Sequence, residues 1–151
     1  MKSIIAALFL TVTSFAMAND DSVFMGRYRV EAGRGCMKDP GARTYVTKGT
    51  YTRGMPSVRL QFYSEDAVLV DVPTLNGSVQ TPGSSSQFMD KVTILWPNSS
   101  TLIASIRTTG KSYGQAVNTV TEYALSVKGT RLVYAAKENG RMVEYCTLTK
   151  Y

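Results

Sequence analysis

From Asp21 onward the chain is a succession of short β-type runs, none of which lengthens into a helical pattern. The runs are Phe24–Glu31, Thr44–Arg53, Val58–Tyr63, Ala67–Val72, Ser78–Thr81, Lys91–Trp96, Thr101–Thr109, Ala116–Val127, Thr130–Ala136 and Met142–Lys150. They are rich in Val, Ile, Thr, Tyr and Phe, and Gly, Pro, Asn or Ser separates them. That composition and spacing predict an all-β domain of about eight to ten strands. Short turns make neighbours in sequence neighbours in space, so the sheet is an antiparallel meander. A meander of this length without helices tends to close, because closure removes exposed edges. The alternative, an open two-sheet sandwich, needs longer crossovers than these connections provide. Within Thr44–Arg53, Gly49 reads as a bulge.

Asn139-Gly140, between two alternating strands, is the strongest local signal and predicts a two-residue type I′ hairpin. Extended regularly, that turn sets residue 136 opposite 143, 134 opposite 145 and 132 opposite 147. Leu132, Tyr134, Ala136, Val143, Tyr145 and Thr147 then share an interior face, and Glu144 and Cys146 lie on the other.

The first 18 residues have the form of a secretory signal peptide: Lys2, an apolar run from Ile4 to Phe15, and Ala16-Met17-Ala18 at the cleavage position. The apolar run is too short for a membrane span. The expectation is a bacterial exported protein, periplasmic or extracellular, whose one domain is residues 19–151 and which makes no stable membrane insertion. In an oxidising compartment the chain's two cysteines, Cys36 and Cys146, should pair and join the first strand to the last. The 17 Lys and Arg against 11 Asp and Glu make the chain basic. They are scattered rather than clustered, which describes a solvated surface and gives no basis for nucleic-acid binding.

The chain has no histidine. This removes Ser-His-Asp and Cys-His nucleophile systems and most zinc, copper and non-haem iron sites. No glycine-rich loop opens a helix, and no cofactor or metal is implied. Strand-borne carboxylates that could serve a glycosidase are Asp71, Asp90, Glu122 and Glu144. Their spacing sets no two on one inner face, and exposed strand positions account for them. The chain reads as a non-enzyme.

The alternation instead turns aromatics inward: Tyr28, Phe62, Trp96, Tyr123, Tyr134 and Tyr145. Burying a tyrosine is costly unless its hydroxyl finds a partner or water. Several inward tyrosines therefore fit either a hydrated cavity or a filled interior with mutually bonded hydroxyls. A small barrel is just wide enough for either.

Gly26-Arg27-Tyr28-Arg29-Val30 resembles the G-x-W-x-V opening of lipocalins and related calycin barrels, with Tyr28 in the tryptophan's place. Thr121-Glu122-Tyr123 is similar to the lipocalin T-D-Y element, and Arg141 matches the late arginine that packs over the plug. The resemblance implies a single up-and-down barrel of about eight strands, here closed by the Cys36–Cys146 disulfide. It also implies a small, largely apolar or aromatic molecule held inside by the six aromatics. The alternative is an exported inhibitor of a hydrolase, of protease or lysozyme type, acting through termini and loops such as Pro82–Gln87 and Gly110–Gln115.

Overall fold

The computed structural model describes residues 19–33, 35–63, 67–83 and 87–151. The expected signal peptide, residues 1–18, lies outside the described residues, as do residues 84–86 of the expected contact loop Pro82–Gln87. The chain forms ten strands: β1 Gly26–Val30, β2 Arg43–Tyr51, β3 Met55–Tyr63, β4 Val68–Pro73, β5 Gly77–Pro82, β6 Phe88–Asn98, β7 Thr101–Ser112, β8 Gln115–Lys128, β9 Arg131–Glu138 and β10 Arg141–Lys150. Among the described residues the helical segments are two 3₁₀ turns, Asp21–Phe24 and Thr52–Gly54.

All ten strands belong to one antiparallel sheet in the order β4-β3-β2-β1-β10-β9-β8-β7-β6-β5. Every consecutive pair is hydrogen-bonded except β4 and β5, and β1 pairs with β10. The sheet is strongly curled. Phe62 on β3 and Tyr134 on β9 stand four strand positions apart, about 19 Å on a flat sheet, yet their ring centroids are 6.0 Å apart. Phe24, just before β1, likewise meets Trp96 of β6 at 5.7 Å. The inward face collects Val46, Val58, Leu60, Val72, Val92, Ile94, Leu102, Leu125, Leu132 and Leu148 as a single core.

Three expectations about this architecture need correction. The strands number ten, not about eight: each run in the sequence pairs as a strand of its own. The ladder is not closed, and it opens between β4 and β5. Pro73 and Pro82 lie in these edge strands and carry no N–H for a ladder. The link between them is also held elsewhere: the Thr74 amide donates to the Pro56 carbonyl oxygen at 3.0 Å, and Trp96 Nε1 donates to the Thr74 carbonyl oxygen at 3.0 Å. The link is thus tied to β3 and β6. Finally, Gly49 is not a bulge. It sits opposite Ser57 in unbroken register, where an added Cβ would stand 2.5 Å from Asp71 Oδ1 and 2.8 Å from Ser57 Oγ.

The Cys36–Cys146 disulfide is present and spans 110 residues of sequence. It joins the loop after β1 to β10, strands already paired, and so reinforces the sheet's middle rather than closing an edge. Crosslinks of this kind stabilise small exported domains by about 2–5 kcal/mol. At the opening strand, Tyr28 is buried and its hydroxyl donates to the Phe24 carbonyl oxygen at 3.0 Å. The cation above its ring is Lys150, with Nζ 5.8 Å from the centroid. Arg141, expected there, is at the far end of β10, exposed beside the hairpin turn. Gly26 has φ +150°, and a Cβ there would meet Lys150 Cε at 2.6 Å.

Candidate interior binding site

The site is assembled by alternation on four strands and by one loop. Residues of a strand two apart share a face, so Phe62 points inward with Leu60 and Val58, Tyr123 with Leu125, and Tyr134 with Leu132 and Ala136. The Tyr123 and Tyr134 rings stack at 6.5 Å with their planes 19° apart, and Phe62 continues the row. The loop after β1 runs back along β10: the Glu31 amide donates to the Thr147 carbonyl oxygen, and the Tyr145 amide to the Gly35 carbonyl oxygen. This course carries Lys38 inward. Its Nζ lies 5.3 Å from the Phe62 centroid and 3.2 Å from Glu144 Oε1, with both side chains almost fully buried.

At the other side Asp90, 9% exposed, faces inward between Thr81 of β5 and Thr108 of β7, its register partners. Thr108 Oγ1 donates to Asp90 Oδ1 at 2.6 Å. No lysine or arginine among the described residues forms an ion pair with Asp90. Between the two carboxylates lie the tyrosines. Burial pushes the Tyr134 phenol far above its ordinary value, and the negative charge of Glu144 adds to the effect. Tyr123 is raised by burial and then by Glu144. Tyr51, at the end of β2, is raised by burial and then by Asp90 and Tyr123. In each case the charged phenolate would lose hydration and face a like charge.

Of the six aromatics expected in the site, Phe62, Tyr123 and Tyr134 come together. Tyr28 is a plug satisfied by its own backbone bond, and Trp96 is spent on Phe24 and Thr74. Tyr145 is not inward: it is 46% exposed. The hairpin begins as expected, with Arg141 opposite Glu138 and Met142 opposite Lys137. A bulge at Val143 then advances the register by one, so Glu144 faces Ala136 and Cys146 faces Tyr134. A one-residue advance exchanges the faces of a strand, so Glu144, Cys146 and Leu148 turn in while Val143 and Tyr145 turn out.

Sequence reasoning missed Lys38 and Tyr51, and it took Asp90 and Glu144 for carboxylates at exposed strand positions, whereas both are buried. Asp90 sits two residues before Val92 on the same alternating face, which was the available signal. Glu144 carried none, because the bulge reverses its side. Asp71 and Glu122, by contrast, pair on the outer surface with Arg59 and Lys137.

Hydrogen bonding separates the hydroxyls. Among the described residues neither the Tyr123 nor the Tyr134 hydroxyl has a hydrogen-bond partner, yet the one side-chain polar atom fully enclosed without a partner is Thr44 Oγ1. The two tyrosine hydroxyls are therefore not sealed from water. The second Asp90 oxygen is in the same condition. Where the ladder is interrupted there is also a cleft of about 350 Å³, lined by Met55, Pro56, Leu75, Val79 and Thr81, with Arg53 at its rim. A broader depression lies at the tip of the β7–β8 hairpin around Lys111 and Tyr113. Among the described residues the one group of possible metal ligands is Cys36, Glu144 and Cys146, and both sulfurs are held in the disulfide.

No family model matches the chain, and no curated protein matches it. Among solved structures, a crystal structure of a mutant of the fluorescent protein UnaG is similar over 85% of this chain and 96% of its own, at 10% identity and a TM-score of 0.42.

Proposed function

We propose that this chain is a lipocalin-like, non-enzymatic binding protein, exported after removal of residues 1–18, that holds a small, largely apolar or aromatic molecule inside its curled sheet. The observation that carries this reading is the pair of stacked, inward tyrosines whose hydroxyls have no hydrogen-bond partner among the described residues and are not sealed from water. A filled core would bond those hydroxyls or replace them with phenylalanine, because an unmade buried hydrogen bond costs about 1–3 kcal/mol. Phe62 and the aliphatic core supply the apolar walls, and Tyr123 and Tyr134 supply orientation, the usual division of labour in a small-molecule pocket.

The test is native mass spectrometry of protein purified from its own host without denaturation, with a thermal-shift screen of metabolites and lipids. The expected result is a small non-protein mass released on unfolding, and a raised melting temperature with matching compounds. No bound mass and no shift across the panel would overturn the reading.

A second reading, inhibition of a hydrolase, draws on the β7–β8 tip. Tyr113 is fully exposed there with φ +50°, an uncommon conformation for a bulky residue. An exposed aromatic beside Lys111 suits a protein contact. In the same purification this reading requires a stoichiometric protein partner in place of a small molecule.

A further inference from the structure

The interior has more negative than positive groups. Lys38 is matched by Glu144, which leaves Asp90, nine-tenths buried, with one hydroxyl donor and no cation among the described residues. A carboxylate taken out of water normally requires a cation or several donors. Here the second Asp90 oxygen has no partner among the described residues and is not fully enclosed. The surroundings are aromatic: Tyr51 packs on the core with its hydroxyl in the fields of both Asp90 and Tyr123, and Phe88 lies two residues away on the same face of β6. Thr81, the register partner of Asp90 on β5, forms part of the wall of the cleft at the interrupted ladder. The cleft therefore lies one strand away from the carboxylate. Arg53, which also lines the cleft, is on the exposed 3₁₀ turn, and among the described residues it forms no ion pair with Asp90.

We propose that the molecule bound is an organic ammonium ion that sets its charge on Asp90 beside Tyr51 and Tyr123. This rests on the binding reading given above. An ammonium group meets both features at once: the carboxylate accepts its charged hydrogen bond, and aromatic faces attract the same charge through their quadrupoles. The chain's net charge of +6 does not oppose this, because charges scattered over the surface are screened within about 8–10 Å by physiological salt.

The test compares three probes of one skeleton by titration calorimetry at neutral pH: 3-phenylpropylammonium, 3-phenylpropanol and 3-phenylpropanoate. The ammonium should bind at least about tenfold more tightly than the alcohol, which corresponds to one desolvated charge contact, and the carboxylate most weakly. Asp90→Asn keeps an acceptor for Thr108. It should abolish the ammonium's advantage over the alcohol. The probe comparison in the parent protein stands even if that variant does not fold. Alcohol or carboxylate binding as tightly as the ammonium would overturn the cation assignment and leave the binding reading intact. So would a neutral or anionic molecule in the native complex. Silence from all three probes, with no bound molecule in the native protein, would overturn both.

Discussion

Thr44 lies in the interior between Tyr28 of β1 and Phe62 of β3, its register partners, and its hydroxyl is enclosed without a partner. Unlike the tyrosine hydroxyls of the site, it faces no open space and so has nothing to recruit. Its desolvation is a plain cost to the fold. Thr44→Val keeps the shape and the β-branched preference for a strand and removes the orphaned group. The variant should be more stable than the parent by about 1 kcal/mol, since a buried unsatisfied polar group costs about 1–3 kcal/mol, and the gain should appear as a higher urea midpoint with unchanged slope. A lower midpoint would mean the hydroxyl has a partner, such as a bound water. Tyr28 shows the opposite arrangement close by: its hydroxyl is satisfied by the Phe24 carbonyl oxygen, so it serves the fold and not the ligand.

Between strands, Asn139 does more than turn a hairpin. It and Gly140 have φ of 48° and 79°, the two positive values that a type I′ turn needs. The Asn139 amide also donates to the Val120 carbonyl oxygen at 2.8 Å, and the Val120 amide donates to Asn139 Oδ1 at 2.9 Å. The side chain thus adds one rung to the β8–β9 ladder, just beyond the pair Thr121 and Glu138. Asn139→Gly keeps the turn and removes the rung, and should cost about 1 kcal/mol, an ordinary net hydrogen bond. Gly140→Val attacks the turn itself and should cost more, because a β-branched residue resists positive φ. Urea denaturation of the two variants checks the order, and equal stability of Gly140→Val and the parent would contradict the turn. This hairpin was legible in the sequence because Asn-Gly is a local rule. The bulge at Val143 was not. Regular pairing put Val143 and Tyr145 inside, and only the competing demand to bury Leu148 and bring Cys146 to Cys36 reverses the strand. That demand involves residues far apart in sequence. The carboxylate of the Lys38–Glu144 pair was lost to the sequence reading for the same reason.

In the molecule as a whole, the all-β meander, the pairing of first and last strands and the inward faces of β3, β6 and β9 followed from alternation, short turns and the cysteines. The position of the interruption did not. It depends on where the link after Pro73 is tied, to Pro56 and Trp96, and the only local hint was proline in two successive strands. The curled sheet's contents then set its response to alkali. Tyr28, Tyr51, Tyr123 and Tyr134, of nine tyrosines, all have phenols raised by burial above the ordinary value of 10.0. In the unfolded chain they release protons near that value, while in the folded protein they retain them. The folded state then binds more protons, so stability falls as pH rises. The stabilisation is complete below about pH 10 and is lost above it. The urea midpoint should therefore be flat from pH 8 to near 10 and drop beyond, with phenolate absorbance at 295 nm rising sharply as the domain opens. Tyr134→Phe removes the phenol with the largest shift and, because that hydroxyl has no protein partner, should leave neutral-pH stability nearly unchanged while making the alkaline fall shallower. An identical fall in the variant would place the alkaline sensitivity elsewhere, in the lysines, and would argue that Tyr134 is better solvated than its position implies.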